Sequence, residues 1–179
     1  MKKKAPIILS NKLVASSSLF HIESIELLFS NGEKRIYERL KPTNRNAVMI
    51  VPINQNKEII LIKEYAVGTE SYELGFPKGL IDLGESPIES ANRELKEEIG
   101  YGAKKFVLLK ETKLAPSYFS STMSIFLATN LYEDALIGDE PEPLEKVYWP
   151  ISDVHKLLSD KNFREARSIA ALYLALDEL

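Results

Sequence analysis

The segment at residues 79–101, GLIDLGESPIESANRELKEEIGY, constrains the fold more than any other part of the chain. Its SPIE stretch at residues 86–89 is a helix start: serine caps the first turn, proline suits the first helical position, and the glutamate completes a capping box. Gly100 is a typical helix stop, because glycine readily adopts the conformation that ends a helix. The segment therefore predicts a helix over residues 87–99.

One side of this helix is apolar and the side next to it is acidic. The apolar stripe consists of Ile88, Ala91, Leu95 and Ile99. Glu94 and Glu98 lie one turn apart beside the stripe, with Glu97 next to them. Two interpretations are open from the helix alone. The acids form a solvated face, where like-charge pairs cost only about 0.2–0.5 kcal/mol, or they bind a divalent cation such as Mg²⁺, which prefers carboxylate oxygens.

The rest of the chain is rich in strand patterns, with two further helices near its end. Strands are predicted at residues 19–29, 34–41, 46–53, 58–65, 106–113, 122–131 and 146–149. Helices are predicted at residues 151–160 and 163–179; in the second, the side predicted to be apolar consists of Ala166, Ile169, Ala170, Tyr173 and Leu174. These elements indicate an α/β (α+β) fold.

Three segments are predicted along the chain. Residues 1–18 form a mobile lead-in, residues 19–45 an N-terminal β unit, and residues 46–179 the main domain. Asn31-Gly32 is a strong turn signal between the two strands of the N-terminal unit. The unit is therefore predicted to be a β-hairpin extension.

Composition excludes several classes of function. The chain of 179 residues has no cysteine, so disulfides and thiolate metal sites are excluded, and a reducing cytoplasm is the predicted location. The net charge of −3 does not favour electrostatic binding to nucleic acid. No segment approaches the roughly 18 apolar residues of a membrane span. We therefore expect neither nucleic acid nor a membrane as a partner.

The spacing of the acidic segment is specific. Gly79 is followed after five residues by Glu85, and seven residues later by RELKEEIG at residues 93–100. This resembles the Nudix box, G-x5-E-x7-R-E-U-x-E-E-x-G-U, in which U is aliphatic. All seven fixed polar and glycine positions are present, and Tyr101 at the last U is a departure that affects packing. The resemblance implies a Nudix α/β/α sandwich with a mixed sheet between helices, and a box at residues 79–101.

The resemblance also implies roles for the box residues. Glu94, Glu97 and Glu98 are the implied ligands of Mg²⁺ or Mn²⁺, with Glu94 and Glu98 as the principal pair and Glu97 also a catalytic candidate. Glu85 is an implied accessory ligand or supporting group, and the main-chain carbonyl of Lys78 an implied further ligand. Three residues have implied structural roles: Arg93 orients the carboxylates, Gly79 permits a tight loop, and Gly100 ends the helix.

Similarity outside the box points to the ADP-ribose pyrophosphatase-like branch of the family, and within it to bacterial hydrolases of ADP compounds. The stretches IKEYAVGTESYELGFPKGLID and APSYFSS carry it, with Pro116 fifteen residues after Tyr101. The implied reaction is hydrolysis of ADP-ribose, NADH or diadenosine di- and triphosphates to AMP and a phosphorylated product. Ala66 stands where those enzymes often have arginine, which argues against strict ADP-ribose specificity. The N-terminal β unit implies a homodimer.

Further candidates lie outside the box. The resemblance implies a catalytic base from the late acidic loop GDEPEPLEK, where Glu140 and Glu142 are the candidates and Asp139 and Glu145 the reserves. A solvated acidic turn is the open alternative. Candidate substrate-binding residues are Tyr118 and Phe119, which could stack on adenine or only pack, and Arg39, which could bind phosphate or be exposed. His21 and His155 are interpreted as structural or surface residues.

Two other functions compete with an ADP-compound hydrolase. A non-catalytic sensor with the Nudix fold could bind an ADP-ribose-like nucleotide, but such a sensor could lose box glutamates, and this chain retains all of them. An RNA 5′-end pyrophosphohydrolase is disfavoured because the chain has no basic block beyond the three lysines at residues 2–4.

Overall fold

The structure, a computed structural model, describes residues 4–43 and 45–179. The chain divides into two compact units. The first comprises Met1–Asn44 with Lys113–Ser121, and the second comprises Arg45–Thr112 with Thr122–Leu179. Parts of two predicted segments, residues 1–3 of the lead-in and residue 44 of the β unit, lie outside the described residues.

The first unit contains an antiparallel sheet of three strands in the order β1-β2-β3. The strands are β1 (Ile7–Ser16), β2 (His21–Leu28) and β3 (Lys34–Leu40). The predicted hairpin is β2–β3. In its turn, Gly32 has a φ of 87°, and the Asn31 side chain accepts a hydrogen bond of 3.1 Å from the Glu33 N–H. Asparagine and glycine supply the polar group and the positive φ that such a turn needs.

The segment predicted as a mobile lead-in contains a strand, β1, which the sequence analysis does not predict. This strand pairs with β2 from Ile7 opposite Leu28 to Ser16 opposite His21, with two register shifts. Nearly all of its residues are exposed, including apolar ones. A strand without a buried face has no clean alternation of apolar and polar residues, so its sequence lacks the pattern by which strands are recognised.

The second unit contains the remaining strands and helices of the described residues. Its elements are β4 (Ala47–Pro52), β5 (Glu58–Ala66), β6 (Ser71–Gly75), β7 (Lys78–Leu80), α1 (Pro87–Glu98), β8 (Tyr101–Lys113, whose last residue belongs to the first unit), β9 (Thr122–Glu133), β10 (Glu145–Pro150), α2 (Val154–Ser159) and α3 (Ala166–Leu176). They form a mixed sheet in the order β7-β4-β9-β8 and a second sheet in the order β10-β5-β6. Strand β4 is parallel to β9 and antiparallel to β7.

Strand β4 shows how the layers are built. Val48 and Ile50 belong to the buried cluster that contains the apolar face of α1, whereas Met49 and Val51 belong to the cluster that contains α2 and α3. Successive side chains of a strand point to opposite faces, so one buried strand serves both clusters. Helices therefore pack on both faces of the strands, and the predicted mixed α/β architecture is confirmed.

Two details of the second unit differ from the prediction. Helix α3 buries Ser168, Ala171, Leu172 and Ala175; on the side predicted to be apolar, Ile169 and Leu174 pack partly buried against the core, whereas Tyr173 is exposed. This helix is apolar on more than one side, so periodicity alone does not select its buried face. Strands β6 and β7 were not predicted, because they are short and contain glycine. No helix in the described residues combines the length and apolarity of a membrane span.

Candidate active site

Helix α1 begins and ends as its sequence predicts, within one residue. The Ser86 hydroxyl accepts a hydrogen bond from the Glu89 N–H, and the Glu89 carboxylate accepts one of 2.8 Å from the Ser86 N–H. This capping box satisfies two backbone donors at the first turn. Gly100 follows the helix with a φ of 76°. The helix is thus fixed at both ends.

The apolar side of α1 is shorter than predicted. Ala91, Leu95 and Ile99 are buried in one cluster, but Ile88 is 51 % exposed. Ile88 lies in the first turn, and the cluster contains no α1 residue before Ala91. The apolar contact with the sheet therefore comes from the later turns of the helix, whereas the first turn is held by Ser90, which is fully buried and whose hydroxyl donates to the Leu80 carbonyl of β7 at 3.1 Å.

Glu94 and Glu98 lie at the edge of this buried side and face a cleft. Each is 7 % exposed, yet both line an open cavity of about 550 Å³ rather than the apolar core. Box residues, strand β7 and the late loop provide most of the wall. The lining residues are Arg45, Glu64, Lys78, Gly79, Leu80, Asp82, Arg93, Glu94, Glu97, Glu98, Ile137, Gly138, Asp139 and Glu140.

Arg93 is the centre of the charge network in the cleft. Its guanidinium donates to Glu94 at 2.8 Å and to Glu97 at 2.9 Å, and it makes two hydrogen bonds to Glu85, at 2.9 and 3.0 Å. It also donates to the carbonyl of Leu80 at 3.0 Å. The hydrogen bonds from Arg93 lower the pKa of Glu85. The planar fork of arginine donors holds several carboxylates in fixed orientations at once.

Glu98 is the most perturbed acid of the site. Its carboxylate accepts a hydrogen bond of 3.0 Å from the Lys78 backbone N–H. Burial raises the pKa of Glu98 to about 9, although the charge and the N–H of Lys78 act in the opposite direction. Burial also raises the pKa of Glu94, which the hydrogen bond from Arg93 opposes. Both carboxylates thus carry a desolvation cost that a nearby cation would offset.

Gly79 has a different role from the predicted one. It lies inside β7, paired with Val48, and its φ is not positive, so it does not form a tight loop. A Cβ atom at residue 79 would overlap the carboxyl group of Glu94. Glycine therefore leaves space for the helix carboxylate, which lies directly against the strand backbone.

The candidate catalytic acids of the late acidic loop lie in different surroundings. Asp139 and Glu140 line the cleft. Glu142 instead accepts a short hydrogen bond from the Tyr72 hydroxyl, and Glu145 pairs with Lys63 at 2.7 Å on β10. Neither Glu142 nor Glu145 is among the residues that line the cleft.

Three candidates lie in the first unit. Arg39 pairs with Glu23 at 3.1 Å. Tyr118 is exposed, and its carbonyl accepts the Leu40 N–H at 3.0 Å. Phe119 lines a small pocket of about 180 Å³ within this unit. Their roles towards a substrate stay predictions.

The two histidines have local surroundings. The Nδ1 atom of His21 lies 2.6 Å from the Ser16 hydroxyl, at the end of the β1–β2 pairing. His155 lies on α2, where its carbonyl accepts a hydrogen bond of 2.9 Å from the Ser159 hydroxyl. Neither histidine lines the cleft.

Several residues that line the cleft are not predicted by the sequence. Arg45, Glu64, Asp82, Ile137 and the side chain of Lys78 all line it. Glu64 and Lys78 form an ion pair between β5 and β7. They are separated by fourteen residues in the chain, and neither periodicity nor the box spacing links them. The one local signal is that Lys78 directly precedes the box.

The donor set fits a hard divalent cation. Glu94, Glu97 and Glu98 supply carboxylate oxygens from one helix, which are the donors that Mg²⁺ and Mn²⁺ prefer. In the part of the chain that the structure describes, no three acidic or histidine side chains enclose a common point closely enough to form a finished metal site. The carboxylates instead accept hydrogen bonds from Arg93 and from the Lys78 N–H. The implied Lys78 carbonyl has no described contact with these acids.

A larger surface groove lies elsewhere in the second unit. It has a volume of about 670 Å³ and is lined by amides and tyrosines, with Lys104 and Glu133 as its only charged residues. It contains none of the box acids. We therefore assign the candidate active site to the box cleft, where the chemistry is concentrated, although its volume is smaller.

Comparisons with known families agree with this geometry. A family model of the NUDIX domain matches residues 43–172, and a model described as the NudE-type Nudix hydrolase N-terminal domain matches residues 6–39. The second match spans all three strands of the first unit except the last residue of β3.

Individual proteins are similar over nearly the whole chain. The ADP compounds hydrolase NudE of Escherichia coli (strain K12) is 59% identical over 174 residues, which cover 97% of this chain and 93% of the relative. The ADP-ribose pyrophosphatase of Bacillus subtilis (strain 168) is 29% identical, with 95% of each chain covered. A crystal structure of an ADP compounds hydrolase superposes with a TM-score of 0.96 at 57% identity, covering 100% of this chain and 96% of the other.

Proposed function

The chain belongs to the Nudix hydrolase family, and on this premise we propose that its cleft hydrolyses the diphosphate of ADP compounds, releasing AMP and a phosphorylated second product. The observation that carries the proposal is that the box acids Glu94, Glu97 and Glu98 line one cleft together with Glu140 from the late loop. Hydrolysis at phosphorus needs groups that bind a cation and a group that accepts a proton from water, and this cleft has candidates for both.

Nudix hydrolases generally need a divalent metal. We propose Mg²⁺, with Mn²⁺ as a substitute, held by Glu94 and Glu98 with Glu97 in support. When bound, such a cation offsets the charge of the diphosphate and lowers the pKa of a coordinated water. The protein's own contribution is to present three carboxylates from one capped helix.

Arg93 and Glu85 keep those carboxylates in place. Arg93 bridges Glu94 and Glu97, and Glu85 anchors the other side of the guanidinium with two hydrogen bonds. Glu85 is not among the residues that line the cleft. We therefore assign Glu85 to the support of Arg93 rather than to an accessory metal position.

Glu140 is the favoured general base. Its carboxylate lines the cleft and is close enough to Glu94 that, after the larger effect of burial, the charge of Glu140 helps to raise the pKa of Glu94. In the proposed step, Glu140 takes a proton from water as the water oxygen attacks phosphorus and the bond to the bridging oxygen breaks. Glu142 accepts a hydrogen bond from Tyr72 outside the cleft lining and is assigned no proton transfer.

The test is AMP release from a panel of ADP-ribose, NADH, diadenosine triphosphate and capped RNA over a magnesium titration. We expect turnover of the first three and none of capped RNA. Binding of ADP-ribose without any AMP release would instead support a sensor. Turnover of capped RNA alone would support the RNA-processing alternative.

We also propose a homodimer and a cytoplasmic location. The first unit exposes large apolar side chains on two strands, including Ile7 and Ile8 on β1 and Ile36 on β3, and such side chains favour a partner surface. Light scattering at micromolar concentration should give about twice the chain mass of 20.2 kDa. A monomer with full activity would contradict the dimer, and recovery outside the cytoplasmic fraction of cells would contradict the location.

A further inference from the structure

The cleft has an electrostatic problem that the box does not solve alone. Seven of its lining side chains are acidic and three are basic, namely Arg45, Lys78 and Arg93. A diphosphate carries two or more negative charges, and like charges at close range repel each other strongly where water is partly excluded. A basic side chain whose hydrogen-bond donors are not all in use would therefore help to bind the substrate in this cleft.

The guanidinium of Arg93 has no unused hydrogen-bond donor. All three guanidinium nitrogens already donate hydrogen bonds, to Glu85, Glu94 and Glu97 and also to the Leu80 carbonyl and the Ser90 hydroxyl. A phosphate oxygen could reach Arg93 only by displacing one of these acceptors. The network that orients the carboxylates thus removes Arg93 as a substrate ligand.

Lys78 is placed differently. Its backbone lies at the start of β7, opposite Met49, where its N–H contacts Glu98, so the residue is fixed next to the box acids. Its ammonium group makes one side-chain contact, an ion pair with Glu64. An ammonium has three donors on a flexible stem, so two donors are left and the group can turn towards a ligand in the cleft.

We propose that the Lys78 ammonium binds the diphosphate of the substrate, and that Glu64 holds this ammonium until the substrate replaces it. The inference rests on the proposed function, since it assigns a substrate-binding group to the same cleft. It differs from the family-based expectation for Lys78, which concerned only the main-chain carbonyl. In the substrate complex, phosphate oxygens accept the hydrogen bonds that Glu64 accepts without substrate.

The proposal predicts opposite effects for the two partners of one ion pair. Lys78→Met keeps the length of the side chain and removes its charge, so KM for ADP-ribose should rise about 10- to 100-fold, the range for losing a hydrogen bond to a charged group. Lys78→Arg should recover most of this loss. Glu64→Gln keeps an acceptor oxygen but removes the charge that competes for the ammonium, so KM should fall below the parent value. If the ion pair had only a structural role, Lys78→Met and Glu64→Gln would change KM in the same direction.

The chain offers a matched control in a second Lys–Glu pair. Lys63 and Glu145 join β5 and β10 at 2.7 Å and do not line the cleft. Lys63→Met should leave KM within about twofold of the parent, because surface ion pairs contribute little. Arg45→Gln tests the remaining basic residue of the cleft.

A binding measurement separates this proposal from the proposed function. Calorimetric titration with ADP and Mg²⁺ needs no turnover, and Lys78→Met should weaken ADP binding about 10- to 100-fold, while Lys63→Met should not. If Lys78→Met fails to fold, Lys78→Gln and Glu64→Gln provide the same comparison. An unchanged dissociation constant for Lys78→Met, equal losses for Lys78→Met and Glu64→Gln, or a loss confined to Arg45→Gln would overturn the proposal. An enzyme that binds ADP through Lys78 and releases no AMP would overturn only the proposed function.

Discussion

Helix α1 and the loop at residues 134–144 are both acidic and both line the cleft, but they are held by different forces. Helix α1 is capped at its start, packs Ala91 and Leu95 in the core, and has its carboxylates tied to Arg93. The loop has no regular structure between β9 and β10. Its first half is hydrogen-bonded to the C-terminal end of α1 and to Gly100 just beyond it. The Asp134 N–H donates to the Gly100 carbonyl at 3.0 Å, and the Leu136 N–H donates to the Lys96 carbonyl at 3.1 Å.

The second half of the loop has fewer contacts. In residues 138–143, the one described side-chain hydrogen bond is that from Tyr72 to Glu142. A group that must hold a cation benefits from a rigid helix, whereas a group that must follow an attacking water tolerates a loop. The contrast therefore suggests a division of labour, with cation ligands on the helix and the proton acceptor on the loop.

The largest effect is expected from Glu98→Gln in the helix. The substitution keeps size and removes a charged ligand, so hydrolysis of ADP-ribose should fall by about 10²–10⁴. Steady-state kinetics over a magnesium titration measure it. Hydrolysis at the parent rate would break the comparison, because the helix acids would then be only a buried charged face.

The same variant has a pH signature in metal-free buffer. The pKa of Glu98 is raised from 4.5 to about 9 in the folded chain. Between these pH values the unfolded chain has released a proton that the folded chain retains, so the stability of the parent should fall as the pH rises through this window. Glu98→Gln lacks this group and should show a flatter profile in thermal melts from pH 5 to 9. A parallel decline in both proteins would contradict the burial argument.

Glu140→Gln and Glu142→Gln test which acid of the late loop is the general base. Glu140→Gln should lower kcat by about 10²–10⁴, the range for losing a general base, while the magnesium dependence stays close to that of the parent. Glu142→Gln should be mild, because Glu142 does not line the cleft. A reversed order of the two variants would move the base to Glu142. A strong shift in magnesium affinity for Glu140→Gln would instead make Glu140 a cation ligand.

A smaller effect on activity is expected from Gly79→Ala, where α1 meets β7. Gly79→Ala should push the Glu94 carboxylate aside, since the added methyl group occupies its place. Activity should fall about 10- to 100-fold, the range for disturbing groups around a metal site. Gly68→Ala is the control, because no atom lies within 4 Å of its added Cβ and its φ is not positive. Equal activities of both variants would show that Glu94 tolerates displacement.

The smallest effect on catalysis is expected from Ser86→Ala, which removes the N-cap of α1. Ser86→Ala should lower the free energy of unfolding by about 1 kcal/mol, the usual value for losing an N-cap. The kcat should change little, because the carboxylates lie in the second and third turns of the helix. Chemical denaturation and AMP release measure both quantities. A large loss of kcat at unchanged stability would show that the cap acts on the site itself.

The sequence predicted the helix side of this comparison better than the loop side. The caps of α1 and the positions of Glu94, Glu97 and Glu98 depend on local periodicity, which a sequence shows directly. The space that Gly79 leaves for Glu94 depends on contacts between distant segments, as does the separation of Glu140 from Glu142. The same holds for the Lys78–Glu64 pair and for β1, which pairs through its backbone and has almost no buried side chain. Such features follow from tertiary structure and have no local pattern.

Titration of the protein with Mn²⁺, followed by electron paramagnetic resonance, tests most directly whether the box carboxylates hold a divalent cation. The parent should bind Mn²⁺, Glu142→Gln should bind it equally well, and the double variant Glu94→Gln/Glu98→Gln should lose at least about tenfold in affinity. Equal Mn²⁺ binding by the parent and the double variant would contradict the account.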